Sequence, residues 1–126
     1  MIELEIPVIR DNNGWQWLSS NHRHHWAVKA RLTKQYRLLG RTVAQAQRLP
    51  TMKRARIVAI IHKATRRRFD PANQYPQVKA IIDGLVADYG LLPDDDHHHL
   101  TGPDMRAGEP RKVPCITLQI EELPAA

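Results

Sequence analysis

The residues best suited to chemistry lie in one stretch of the chain, residues 66–99. It begins with three adjacent arginines, Arg66–Arg68, followed by Asp70, and it closes just beyond three adjacent aspartates, Asp94–Asp96. Neighbouring carboxylates repel one another, and a divalent cation such as magnesium or manganese removes that repulsion while accepting oxygen ligands. Arginine side chains bind phosphate oxygens. This combination predicts a divalent metal acting on a phosphate backbone, whereas the aspartates taken alone fit a solvated acidic turn equally well.

Lys79 and Asp83 lie between the arginines and the aspartates, four residues apart on one face of a predicted helix. By itself such a pair is an ordinary helix ion pair, worth a few tenths of a kcal/mol. Beside a metal site, the lysine would instead stabilise negative charge that develops on a phosphate during the reaction. The spacing alone favours the ion pair.

Positive charge is concentrated in the first half of the chain. The formal net charge is +6, but residues 1–69 hold 15 Lys and Arg against three acids, whereas residues 70–126 hold four against ten. Such a field attracts polyanions, with an affinity that depends strongly on salt. A stripe of cations on the first predicted helix fits either a phosphate backbone or a solvated face. Its members are Lys34, Arg37, Arg41 and Arg48.

Three segments have the pattern of β-strands. Apolar and acidic residues alternate over residues 2–6, and Pro7 ends that strand. Residues 56–62 form a β-branched run typical of a central strand, whose carboxyl end leads to the arginines at a sheet edge where ligand sites often form. Alternation over residues 116–121 predicts a last strand. Residues 101–112 are polar and rich in glycine and proline, which predicts a loop.

Two segments have the three-to-four-residue spacing of amphipathic helices. The first runs from about residue 24 to residue 48, and Gly40 in its interior lowers its stability by about 1 kcal/mol relative to alanine. The second includes residues 78–89, with Asn73 as a predicted cap and Gly90 as its end. Three polar residues are candidates for capping the first helix. They are Ser19, Ser20 and Asn21.

The cysteine and the run of histidines point to no site of their own. Because Cys115 is the single cysteine, neither an intramolecular disulfide nor a cysteine-based zinc site can form, and its apolar neighbours predict a buried thiol. His97–His99 are predicted to begin a strand, where successive side chains face opposite sides. All three therefore cannot bind one metal, and we expect them at the surface or facing DNA.

These elements predict a single α+β domain over residues 1–126, with a mixed or antiparallel sheet of about four strands and two main helices on one face. No apolar run approaches the roughly 20 residues that a membrane span requires. The first ten residues are too short and too acidic for a signal peptide. We therefore expect a cytoplasmic protein with no membrane partner.

Four motifs, taken together, resemble those of a known family. They are an SxN-type segment before the first helix (SSNHRHHW), an arginine-rich strand end followed by an aspartate (RRRFDPAN), a lysine on the next helix (QVKAIIDGL) and an aspartate cluster after it (LLPDDD). In this combination the chain resembles the RusA-type Holliday-junction resolvases, which are small metal-dependent endonucleases. The resemblance implies a RusA-like fold, a homodimer, and a nucleoid-associated enzyme that cuts four-way junctions and other branched DNA with Mg²⁺ or Mn²⁺.

The resemblance also implies a set of metal ligands. Asp70 matches the first acid of the family pattern Asp-x-Asp-Asn, and Asp83 and Asp95 match the helix acid and the essential late acid, with Asp94 beside the latter. Ala72 departs from the pattern because it stands in the place of the second acid. Either another aspartate completes the site, or the metal is held loosely and the protein binds branched DNA without cutting it.

Catalytic and DNA-binding roles are implied in the same way. The catalytic set is Asp70, Lys79, Asp83 and Asp95. The DNA-binding set is Arg66, Arg67, Arg68, Lys34, Arg37, Arg41 and Asn73. Two other functions stay open on the residues alone: a catalytically impaired protein that binds branched DNA, and a small metal-dependent hydrolase or phosphatase whose basic half is only a surface.

Overall fold

A computed structural model describes residues 1–125 of the chain. Its centre is a four-stranded sheet in the order β1-β6-β4-β5, formed by β1 (Ile2–Pro7), β4 (Ala55–His62), β5 (Leu100–Ala107) and β6 (Cys115–Glu122). β6 pairs antiparallel with β1 and β4, whereas β5 pairs parallel with β4. The predicted α+β fold with a mixed sheet and two main helices is confirmed at this level.

The strand patterns follow from burial. In β1, Leu4 and Ile6 are fully buried while Glu3 and Glu5 are exposed, because only one face of the sheet packs against the core. β4 lies between two neighbours and is mostly buried, which explains its β-branched composition. Cys115 at the start of β6 is buried, as predicted.

The first helix, α1 (Trp26–Gln47), agrees with the predicted span. It buries Leu32, Tyr36, Gly40 and Ala44, one side of the helix, in the core. The capping prediction is wrong, because His25 is the N-cap and its Nδ1 accepts a hydrogen bond from the backbone N–H of Ala27 at 3.2 Å.

The second helix consists of three successive helical segments of different type. A 3₁₀ turn (Pro71–Gln74) leads into α2 (Tyr75–Asp83), which continues as a π-helical turn (Gly84–Tyr89). Asn73 does not cap α2, contrary to prediction, since it lies inside the 3₁₀ turn. The cap of that turn is instead Asp70, whose Oδ1 accepts from the backbone N–H of Ala72 at 3.0 Å.

Two glycines allow the helices to cross closely. A Cβ at Gly40 would overlap the carbonyl oxygen of Ile81, and a Cβ at Gly84 would overlap the carbonyl oxygen of Arg37. The propensity lost at Gly40 is therefore offset by helix–helix contact. The crossing fixes α2, and with it Lys79 and Asp83, against α1.

The loop prediction for residues 101–112 is wrong over its first part, because residues 100–107 form β5. β5 is an edge strand that pairs only with β4, and most of its side chains are not buried, so its composition is polar. A short hairpin, β2 (Ile9–Asp11) with β3 (Gly14–Gln16), was not predicted from the sequence. Within residues 1–125, no helix has the length and apolar character needed to cross a membrane.

Candidate functional site

One candidate site is an ion-pair group on α2, which we call the Lys79 cluster (Lys79, Asp83 and Asp95). The Lys79 ammonium donates a hydrogen bond to Asp83 Oδ1 at 3.0 Å and another to the carboxylate of Asp95. Asp83 lies one turn further along α2, and Asp95 comes from the segment after the π-helical turn. The predicted helix ion pair is therefore present, and the same lysine also binds the predicted late acid.

The electrostatics of the Lys79 cluster reinforce the pairing. The hydrogen bond to Asp95, aided by that to Asp83, raises the pKa of Lys79 to about 12 against the opposing effect of burial. The hydrogen bond from Lys79 lowers the pKa of Asp95. At neutral pH Lys79 is therefore a cation held beside two carboxylates, which is an arrangement of fixed opposite charges rather than an acid–base pair poised near neutrality.

Asp94 and Asp96, the other two aspartates of the run, stabilise the turn that contains Asp95. Asp94 Oδ1 accepts from the backbone N–H of Asp95 at 2.7 Å, and Asp96 Oδ1 pairs with His99 Nδ1 at 2.6 Å. The hydrogen bond with His99 lowers the pKa of Asp96. His97 and His98 are exposed, as predicted. The prediction that His97–His99 begin a strand is wrong, because these residues form a turn and β5 begins at Leu100. These contacts hold the segment that carries Asp95 in place.

Asp70 is not grouped with the three other predicted ligands, Asp83, Asp94 and Asp95. In the described part of the chain, residues 1–125, no three side chains of His, Cys, Asp or Glu are arranged to hold a metal. Asp83 and Asp95 supply the one or two carboxylates that Mg²⁺ needs beside its waters, through the carboxylate oxygens that do not hydrogen-bond to Lys79. The structure thus brings together two of the predicted carboxylates with the predicted lysine.

Asp70 instead lines a second site, a cavity of about 540 Å³ that we call the aromatic cavity. Three of its lining residues are the aromatic side chains Trp15, Trp17 and Phe69. Polar and charged residues complete much of its surface. Among them are Asn21, His24, Lys63, Arg68, Asn73 and Gln74.

Two motifs that are far apart in the sequence meet at the aromatic cavity. The backbone N–H of Ser20 donates to the carbonyl oxygen of Asn73 at 2.8 Å, which joins the SxN-type segment to the segment after the arginines. Deeper in the fold, Gln77 Oε1 accepts from the backbone N–H of Leu18 at 2.8 Å. Asn73, predicted to bind DNA, therefore lies at this cavity and not at the Lys79 cluster.

Lys63 is a cavity residue that the predicted site did not include. Its ammonium lies 4.0 Å from the ring centroid of Trp17 and 5.3 Å from that of Phe69. Burial lowers the pKa of Lys63. Lys63 lies in the sequence between the end of β4 and the three arginines, and this position could have predicted that it belongs to the same site. The cavity role of Trp15 and Trp17 had no comparable sequence signal.

The predicted arginines lie next to the aromatic cavity. A neighbouring hollow of about 360 Å³, the arginine groove, is lined by Arg66, Arg67 and Arg68 together with Lys63 and Phe69. All three arginines are exposed. Because Lys63, Arg68 and Phe69 line both hollows, the groove and the cavity form adjoining parts of one basic surface.

The predicted cations of α1 are placed differently. The Arg37 guanidinium forms a two-point ion pair with Asp88, with Nε–Oδ2 at 2.7 Å and Nη2–Oδ1 at 2.8 Å. This bond lowers the pKa of Asp88 and joins α1 to the π-helical turn. Lys34 and Arg41 are exposed. Within residues 1–125, neither the aromatic cavity nor the arginine groove is lined by a cation of α1.

Comparison with known proteins does not assign the chain to a family. No model of a known protein family matches the chain, and no curated protein matches it either. The RusA resemblance therefore remains a prediction from the motifs.

Proposed function

We propose that this chain is a RusA-type, metal-dependent endonuclease that acts on Holliday junctions and other branched DNA. The observation that carries the proposal is the Lys79 cluster, in which one lysine holds two carboxylates that lie 12 residues apart in the chain, at the positions that the resemblance assigns to catalysis. The arginine groove, which adjoins the aromatic cavity, supports a phosphate backbone as the substrate.

Asp83 and Asp95 would hold Mg²⁺ or Mn²⁺, with Asp94 beside them. Asp70 lines the aromatic cavity, so it would not be a ligand of this metal. A divalent ion held there would supply Lewis-acid chemistry, polarising the scissile phosphodiester and lowering the pKa of a water. Oxygen ligands of this kind suit both ions.

The chain's own residues orient the substrate and balance charge. Lys79 keeps Asp83 and Asp95 close together, and its ammonium is available to a phosphate on which negative charge develops. Arg66 and Arg67 hold the backbone through charge-assisted hydrogen bonds. Such contacts carry no direct sequence information, so selectivity would come from the shape of the DNA.

We further propose a homodimer that associates with the nucleoid. A two-fold junction requires two symmetric cuts, and an isologous dimer presents two equivalent sites.

Two observations favour a second candidate, a branched-DNA-binding protein without cleavage. Lys79 occupies both carboxylates of its cluster, and Ala72 removes the acid that the family pattern places near Asp70. Binding to four-way junctions in the presence of a chelator, with no product under any metal, would select this candidate.

The test of the proposal is cleavage of an end-labelled four-way junction in Mg²⁺, in Mn²⁺ and in a chelator. We expect symmetric nicks in both metals, with 5′-phosphate ends, and none in the chelator. Cutting that persists in the chelator, or a failure to bind any DNA, would contradict the proposal. A steep fall in affinity with added salt would also exclude the phosphatase alternative.

A further inference from the structure

The aromatic cavity has the composition of a site for a flat, polar ring. Trp15, Trp17 and Phe69 provide apolar surfaces, and amide side chains such as Asn73 and Gln74 provide hydrogen-bonding groups. Its volume of about 540 Å³ is that of a small-molecule pocket. Other proteins recognise nucleobases by this combination of aromatic stacking and hydrogen bonds.

Two polar atoms at the cavity lack a partner within residues 1–125. Gln74 is only 4% exposed, and its Oε1 accepts no hydrogen bond, while the Nε2 of His24 is also buried without a partner. Burial, followed by the neighbouring His22, lowers the pKa of His24, which favours a neutral ring at pH 7. A buried polar atom without a partner is costly. Because both atoms are shielded from solvent, a ligand would satisfy either one only after its side chain rotates toward the cavity.

The charges around the cavity suit a nucleotide rather than a free base. Lys63 and Arg68 line both the cavity and the arginine groove, so a phosphate can be bound next to a ring that enters the cavity. A duplex cannot place a base there while it remains paired. The cavity would therefore discriminate DNA with an unpaired base from fully paired DNA.

We propose that the aromatic cavity binds one nucleobase that is unpaired at the branch point of DNA, with its flanking phosphates on Lys63, Arg68 and the arginine groove. This inference rests on the proposed function, because it names the feature of branched DNA that the protein recognises. Stacking on Trp15 and hydrogen bonds to Gln74 would hold the base.

The test compares two junctions that differ in one position. The first carries one unpaired nucleotide at the branch point, and the second carries an abasic residue there, with every phosphate retained. We expect the wild-type protein to bind the first roughly 5- to 160-fold more tightly, which is the effect on affinity of replacing one stacking aromatic residue by alanine. The preference should disappear in Trp15→Ala and persist in Trp15→Phe.

Trp26→Ala is the matched control, because Trp26 is 77% exposed on α1 and does not line the cavity. It should keep the full preference. Equal binding of both junctions by the wild-type protein, with normal cutting of a fully paired junction, would overturn this inference and leave the proposed function standing. Failure to bind any DNA would overturn both, and a preference retained in Trp15→Ala would exclude stacking on Trp15.

Discussion

The Lys79 cluster and the aromatic cavity differ in whether their polar groups have hydrogen-bond partners within the protein. In the cluster, one ammonium hydrogen-bonds two carboxylates, and each charge has a partner. At the cavity, Gln74 Oε1 and His24 Nε2 have no partner within residues 1–125, and Lys63 lies against aromatic rings. The first region is organised for charge and the second for a ligand, which suggests separate tasks in cutting and in recognition.

The two regions are also held in place differently. The Lys79 cluster depends on the close crossing of α1 and α2 at Gly40 and Gly84. The aromatic cavity depends on long-range hydrogen bonds such as that from Ser20 to Asn73. Substitutions can therefore perturb one region while leaving the other intact.

The largest expected effect is on cutting. Asp83→Asn removes one of the two clustered carboxylates, and we expect cleavage of a four-way junction to fall about a hundredfold or more, because metal-assisted charge stabilisation contributes several kcal/mol. Junction affinity should change little. The measurement is the single-turnover rate in Mg²⁺.

Asp88→Asn is the control for the loss of an acid from the same helical segment, since Asp88 pairs with Arg37 and not with Lys79. Its cutting rate should stay near that of the wild type. Equal loss of cutting in the two variants would show that the Lys79 cluster has no special role.

The next largest effect is on stability. Gly84→Ala places a Cβ on the carbonyl oxygen of Arg37, and the backbone of α1 cannot yield without separating the helices. We expect the free energy of unfolding to fall by about 3 kcal/mol, at the upper end for overpacking, as measured by urea denaturation. Ala46→Gly, at an exposed position of α1, should cost only about 1 kcal/mol.

The salt dependence of DNA affinity should show that the arginine groove, and not α1, contacts the DNA. Arg67→Ala removes an exposed cation of the groove, and we expect the slope of log affinity against log salt to become shallower by about 0.9 for one lost phosphate contact. Arg37→Ala should leave the slope nearly unchanged, because its guanidinium is already paired with Asp88. The same change of slope in both variants would place α1 in the DNA-binding surface.

The smallest effect is the pH dependence of stability from the Lys79 cluster. The folded pKa of Asp95 lies below its unfolded value, so its contribution is present above pH 4 or so and is lost as the pH falls through the folded pKa. The pKa of Lys79, about 12, lies above its unfolded value of about 10.4, so the lysine's contribution is complete below that unfolded value and is lost as the pH rises through about 12.

Asp95→Asn should therefore lower the free energy of unfolding by less than about 1 kcal/mol at pH 7, because Lys79 is 42% exposed and solvent screens the pair. The difference from the wild type should shrink as the pH is lowered toward 2. Urea denaturation across this range measures it, with Glu122→Gln, an exposed acid on β6, as the control. A difference that grows toward low pH would contradict the assigned pKa direction.

The sequence predicted the elements whose burial is one-sided or complete. β1, β4, β6 and α1 have apolar patterns that burial enforces, and each lies close to its predicted span. The strand predicted to begin at His97–His99 lies further along the chain as β5, whose span was predicted as a loop because an edge strand with one neighbour needs few apolar residues. The cost assigned to Gly40 described the isolated helix correctly but could not include the contact with Ile81.

From spacing alone, the candidate site was predictable only where its residues are local in the chain, whereas the grouping of Asp95 with Lys79 was implied by the resemblance. Lys79 and Asp83 are one helical turn apart, so their pairing followed from spacing. The placement of Asp70 in the aromatic cavity depends on contacts between residues more than 50 positions apart, such as Ser20 and Asn73, which no local pattern encodes. Trp15 and Trp17 were missed for the same reason.

The most direct test of separate cutting and recognition regions measures affinity and cutting rate on one four-way junction that carries an unpaired nucleotide at its branch point. With Asp95→Asn we predict that the single-turnover rate in Mg²⁺ collapses while the Kd stays near that of the wild type. With Trp15→Ala we predict that the Kd rises while the rate at saturating protein is retained. If both variants lose affinity and rate together, the two regions form a single site and the division of tasks proposed here is wrong.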